Sequence, residues 1–277
     1  MTSLETLKHY FLKYNLHMSI ATEISRIQSA KADIKAAIEA NGVTVPSSAT
    51  IDTYDDYISQ ISGGGGGITM PSNLSAATLN DYGLLTSAAI KSGVTSIGSY
   101  AFSNCKSLSS IEMPDSVTSI GSNAFSYCSS ISSCTISSGV TSIGSNAFSN
   151  CTSLSSCTIG SGVTSIDNYA FYYCSKLTNV TIPNSVTSIG GSTFRYCSSL
   201  TSIDIPSGVT SISGQAFYNC SSLSSVTVLA TTPPTLGSSV FNNTNNCPIY
   251  VPAESVDAYK SATNWSTYAS RIQAIPT

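Results

Sequence analysis

Nine cysteines are the residues of this chain best suited by type to chemistry, as disulfides, metal ligands or nucleophiles. Their spacing argues for another role. Cys105, Cys128, Cys151, Cys174, Cys197 and Cys220 recur at a fixed step of 23 residues, and Cys134 and Cys157 fall where sister segments carry Ile111, Val180, Ile203 and Val226. A position shared with isoleucine and valine is an apolar core position, where cysteine behaves as a small hydrophobe. Free, buried thiols are therefore expected, although coils stacked about 4.8 Å apart would also bring neighbours close enough for a disulfide ladder. No metal site is expected, because CxxC pairs are absent and the two histidines, His9 and His17, lie far from the cysteines.

Other catalytic side chains lack partners. No Gly-x-Ser-x-Gly is present, and no histidine lies in the repeats to act as a base for serine. Asp52, Asp55 and Asp56 lack the spacing of a calcium loop and instead suit the start of a helix running to Ile61. Paired carboxylates for glycoside hydrolysis do not converge in the repeats. The chain is read as a non-enzyme with no cofactor.

Charge narrows the partners. Net charge is -3 and charged residues make up 9%, against about 25% in an ordinary soluble domain. The 11 lysines and arginines are scattered, which excludes nucleic acid, since phosphate binding needs clustered basic residues. No apolar run approaches the roughly 18 to 20 residues of a membrane span, so insertion into a membrane is not expected. The opening Met1-Thr2-Ser3-Leu4-Glu5 lacks the pattern of a secretory signal.

The elements that must position these residues come from one phrase written six times. Val94-Thr95-Ser96-Ile97-Gly98 returns from Val117, Val140, Val163, Val186 and Val209. Each copy continues with a phenylalanine (Phe102, Phe125, Phe148, Phe171, Phe194, Phe217), a cysteine three residues on, and then Leu-x-x-Ile-x-Ile or a close variant. Strict self-similarity at this period marks a leucine-rich-repeat solenoid. The expected fold is β-rich with short helical turns: six full 23-residue repeats over 94–231 inside a solenoid of 68–252 with degenerate ends, and a C-terminal cap over 253–277. In the long strand Ile203 and Ile205 should point in, and Ser202 and Asp204 out. Val-x-x-Ile should form a second extended segment opposite it, and Gly98 and its equivalents should turn the chain. Ala-Phe-x-x-Cys suits one helical turn with Phe and Cys on the same face.

Positions where the copies differ face outward in this scheme. The outward strand residues Glu112, Thr135, Thr158, Thr181, Asp204 and Thr227 make a nearly neutral ribbon. Beside the phenylalanines stand Tyr169, Tyr172, Tyr173, Arg195, Tyr196 and Tyr218, a mix typical of binding loops, because tyrosine gives large amphipathic contacts at low entropic cost. They are the expected contact patch for a cell-surface protein or a glycan. The alternative is that these tyrosines only stack on one another between coils.

The N-terminal residues 1–62 read as a small α-helical region for assembly or attachment. Ile20, Ile24, Ile27, Ile34 and Ile38 alternate between a and d positions of a short coiled coil, with Lys31 at the one polar site. Isoleucine at both positions favours more than two strands, so a trimer is the expected homo-oligomer. The other reading packs these isoleucines on Leu4, Leu7, Phe11, Ile58 and Ile61 of the same chain. Residues 63–67, five glycines, form a linker.

The run Val186-Thr187-Ser188-Ile189-Gly190, Phe194, Cys197 and Leu200 to Pro206 resembles the BspA-type leucine-rich repeat, and the resemblance extends over 68–251. It implies a bacterial surface or secreted protein that serves adhesion and binding to host or matrix proteins. The stretch from Ile27 to Ile38, with Gly42-Val43-Thr44-Val45, Thr53-Tyr54, Ile58 and Ile61, resembles a segment of tail and appendage proteins of phages of gut bacteria. That second resemblance implies a virion protein released by lysis. The expected function is a non-enzymatic structural and adhesion protein, a phage tail or virion appendage of the receptor-binding type, with a bacterial surface or secreted adhesin as the alternative.

Overall fold

The computed structural model describes residues 87–90 and 92–277. The N-terminal helices expected over 1–62, with Ile20, Ile24, Ile27, Ile34 and Ile38, and the glycine linker lie outside the described residues.

Each 23-residue unit makes one coil with a strand on either side. Long strands run from Ser87–Ala89 and Ser110–Glu112 at one end to Ile249–Val251 and Ile272–Ala274 at the other, in parallel sheets of two, three and four strands. Two-residue strands such as Ser142–Ile143 and Ser165–Ile166 build one seven-stranded parallel sheet on the opposite side. Register repeats coil by coil: Cys134 faces Cys157, and Ile189 faces Ile212. Alternation is as expected, with Ile203 and Ile205 buried and Ser202 and Asp204 exposed.

Files of identical side chains fill the interior. The rings from Phe102 to Phe241 stack at 5.1–5.6 Å, and all but the half-buried Phe102 are fully enclosed. All nine cysteines are free and buried. A thiol proton needs an acceptor there, and the phenylalanine carbonyl of the preceding coil provides it: Cys151 Sγ donates to Phe125 O at 3.2 Å, and Cys128 Sγ to Phe102 O at 3.0 Å.

Two local expectations are corrected. No helical turn forms at Ala-Phe-x-x-Cys. Successive N–H groups alternate instead between their own coil and the next: Ala147 N donates to Gly144 O, Phe148 N to Ala170 O, Ser149 N to Asn146 O, and Asn150 N to Tyr172 O. A left-handed residue at Asn146 (φ 57°) and another at Asn150 (φ 60°) break the helix and turn every second N–H toward the neighbouring coil. Nor is the glycine after Val-x-x-Ile there to turn the chain, since its φ is not positive. A Cβ on Gly144 would lie 2.8 Å from Ser122 N of the preceding coil, and one on Gly190 would lie 2.5 Å from Asn168 N. Close stacking is what requires glycine at these two positions, although Asp167 and Ser213 occupy the same column in other coils.

The C-terminal end is more regular than its sequence. The copy after Pro233-Pro234, expected to be broken, is a complete coil: Phe241 joins the stack, Thr244 takes the cysteine position with its hydroxyl donating to Phe241 O, and buried Cys247 takes the leucine position. The connection through Pro234 holds one extra residue, since Ile205 pairs with Val228, a step of 23, whereas Ser211 pairs with Thr235, a step of 24. The cap over 253–277 has a short α-helix, Val256–Ser261, a 3-10 helix, Trp265–Arg271, and a final strand, Ile272–Ala274, that extends the long-strand sheet. Trp265 lies against Phe241 and donates Nε1 to Pro234 O at 2.7 Å, while Tyr259 donates its hydroxyl to Ala230 O at 2.7 Å.

Candidate binding surface

Along the edge built by the phenylalanine turns, every coil carries two left-handed residues, four apart. One column holds Tyr100, Asn123, Asn146, Tyr169, Ser192, Gln215 and Ser239. The other holds Asn104, Tyr127, Asn150, Tyr173, Tyr196, Asn219 and Asn243. Asparagine tolerates this conformation because its short amide bonds locally, whereas a bulky side chain is strained there. Five tyrosines nonetheless occupy these columns, and Tyr100, Tyr127, Tyr169 and Tyr173 are exposed.

The structure brings all six expected contact residues together. Tyr172 meets Tyr169 and Tyr196 edge-on, each with ring centroids 5.7 Å apart, and Tyr173 lies 5.7 Å from Tyr196. The Arg195 guanidinium sits 5.0 Å from the Tyr196 ring centroid and 4.9 Å from that of Tyr218, with Nη1 donating to Gln215 Oε1 at 2.6 Å and Nη2 to Tyr196 Oη at 3.3 Å. That hydroxyl holds the Arg195 pKa above its ordinary value, so the charge is permanent. Mutual stacking is thus real, and it braces the rings without covering them: Tyr169 and Tyr173 remain 43% and 45% exposed.

The patch opens into a shallow groove of about 340 Å³ lined by Tyr173, Ser175, Tyr196, Ser198, Asn219, Ser221 and Asn243. Asn243 Nδ2 donates to Asn219 Oδ1 at 2.7 Å across neighbouring coils. Sequence reasoning missed this asparagine end of the groove. The signal was the exchange of Asn for Tyr at one repeat position, which marks a left-handed site. A second shallow groove, about 400 Å³, follows the connection that contains the extra residue and includes exposed Leu229.

Among the described residues no cluster of His, Cys, Asp or Glu could hold a metal ion. Burial pushes the Cys151, Cys174 and Cys197 thiols well above their ordinary range, which removes them as nucleophiles.

Six copies of the repeat region described as BspA type leucine-rich repeat match residues 72–201 and 164–267. The chain belongs to this family. BspA-type repeats account for the parallel coils and the buried phenylalanine and cysteine files, whereas the tyrosines vary from coil to coil. A solved T. pallidum leucine-rich repeat protein is similar, with 29% identity over 59% of this chain and 78% of that one and a TM-score of 0.55. A leucine-rich repeat protein from Bacteroides ovatus ATCC 8483 is 26% identical over 64% of this chain and 58% of that one, TM-score 0.41. A leucine-rich cell surface protein from Faecalibacterium prausnitzii A2-165 is 25% identical over 73% and 66%, TM-score 0.43. No curated protein matches the sequence. No helix among the described residues is long and apolar enough to cross a membrane.

Proposed function

We propose that this BspA-type protein is a non-enzymatic adhesion protein whose tyrosine edge, centred on Tyr169, Tyr172, Tyr173, Arg195, Tyr196 and Tyr218, contacts a cell-surface protein or glycan. The observation that carries the reading is the placement of tyrosine at left-handed positions that asparagine fills in sister coils. Tyrosine gives up the conformational ease of asparagine there and leaves Tyr169 and Tyr173 exposed, which supports a surface role. Residues 1–62 assemble the protein, as a trimer through Ile20, Ile24, Ile27, Ile34 and Ile38, or attach it to a larger body, and residues 63–67 give the solenoid freedom to seek its partner.

The carrier in this proposal is a phage tail or virion appendage, supported by the resemblance of the N-terminal segment to such proteins. The second reading, a bacterial surface or secreted adhesin, is supported by membership of the BspA-type family. Immunogold labelling separates them, with label on virions for the first and on cell envelopes for the second. For the binding edge, combined Tyr172→Ser, Tyr173→Ser and Tyr196→Ser should lower cell binding about tenfold or more, with circular dichroism unchanged. Undiminished binding by a folded variant refutes the assignment.

A further inference from the structure

We infer that the groove beside the tyrosine patch is a subsite for a short, neutral oligosaccharide lying along the solenoid axis. This deepens the adhesion reading and rests on it. The groove crosses four successive coils at Tyr173, Tyr196, Asn219 and Asn243, a span of about 14 Å at one coil spacing each. Its composition changes along that span. At one end the exposed Tyr173 ring and the Tyr196 ring beside it supply apolar surface for the C–H side of a sugar ring, since tyrosine joins an apolar body to a polar tip. At the other end stand two asparagine amides, each with donors and an acceptor, which suits hydroxyls that both give and take a hydrogen bond. Ser175, Ser198 and Ser221 add one hydroxyl per coil. At about 340 Å³ the groove is near the lower limit for small-molecule sites, which fits a few sugar rings.

Charge and backbone decide between ligand classes. The lining contains no charged side chain, and the neighbouring Arg195 guanidinium is already engaged by Gln215 Oε1 and Tyr196 Oη, so an acidic polysaccharide or a phosphate gains little there. An extended peptide normally docks by adding main-chain hydrogen bonds to a free edge. No such edge is offered here, because Tyr173 N already donates to Arg195 O, Tyr196 N to Tyr218 O, and Asn219 N to Asn242 O. Recognition must come from side chains, and these are suited to hydroxyl groups.

The test applies the full chain to an array of neutral gluco-, galacto-, manno- and N-acetylated oligosaccharides beside their uronic and sulfated counterparts. Isothermal titration with the best neutral oligosaccharide follows. Saturable binding is expected, reduced about tenfold by Tyr196→Ser and by Asn219→Leu and unchanged by Tyr127→Ser, an exposed tyrosine outside the groove. A blank array, a preference for acidic glycans, or binding indifferent to both groove variants overturns the inference. If the triple tyrosine variant loses cell binding while the array stays blank, the partner is a protein, and the adhesion reading survives without the sugar. If sugar binding is seen but cell binding ignores the tyrosines, the reverse holds.

Discussion

At a left-handed backbone position, the residue that folds best and the residue that binds best need not be the same. Asparagine relieves the conformation, and tyrosine is strained by roughly 1 kcal/mol or more relative to it. Tyr127→Asn should therefore raise stability by about 0.5 to 1 kcal/mol, seen as a higher midpoint in thermal unfolding. Tyr173→Asn, which also gives up ring contacts with Tyr172 and Tyr196, should gain less and lose cell binding, and a folded variant that keeps its cell binding removes the argument for tyrosine there. The thiols respond to pH in one direction. Desolvation raises Cys151, Cys174 and Cys197 well above the ordinary 9.0 in the folded chain, so folding keeps protons that the unfolded chain releases. Stability is then full below about pH 9 and declines as pH rises beyond it. Urea unfolding at pH 7.5 and 10 checks the sign. Rapid labelling of these cysteines by an alkylating reagent in native buffer at pH 8 would contradict the burial that causes it.

A single coil cannot shield its own phenylalanine, so the strength of each element depends on having a neighbour on both sides. Phe148 is sandwiched between Phe125 and Phe171 at 5.1 and 5.3 Å and is fully enclosed, whereas Phe102 is half-buried and has Phe125 as its one ring neighbour among the described residues. Phe148→Ala should cost about 3 to 5 kcal/mol and Phe102→Ala clearly less, measured by thermal unfolding of both. Equal losses would mean that stacking between coils is not what stabilises the file. Such files were legible in the sequence because burial constrains residue type, and a constraint met in every coil repeats in the letters. The left-handed columns were less legible: Asn and Tyr alternate there for different reasons, one conformational and one at the surface, so the repeat looked merely variable. Glycine was read as a turn because sequence reveals the absence of a side chain but not which backbone comes near. The closing strand Ile272–Ala274 keeps the 23-residue step from Ile249, but the Val-x-x-Ile and Phe-x-x-Cys phrases that mark the other coils are missing before it, so the step alone did not reveal it.

Among the described residues each strand pairs with strands of the adjacent coils, so stability is nearly a sum along one axis and the ends decide where unfolding starts. The C-terminal end is covered by a cap held at several points. Trp265 lies on Phe241 and bonds Pro234 O, Asn264 Nδ2 donates to Leu236 O, and Arg271 donates Nε to Cys247 O at 2.8 Å and Nη1 to Phe241 O at 3.1 Å. Removing the indole leaves a cavity against the last phenylalanine and an unpaired carbonyl at Pro234, a combined loss of about 3 to 5 kcal/mol. That loss falls on the terminal coil alone. Trp265→Ala should therefore leave the coils around Phe148 protected while the coil around Phe241 opens, so that one unfolding transition becomes two. Hydrogen exchange read by mass spectrometry would show fast exchange over Thr235–Leu236 and Ile249–Val251, with slow exchange kept over Ser142–Ile143 and Ser156–Ile159. A uniform rise in exchange along the solenoid would instead mean that the coils unfold as one body, and the nearest-neighbour account of its stability would be lost.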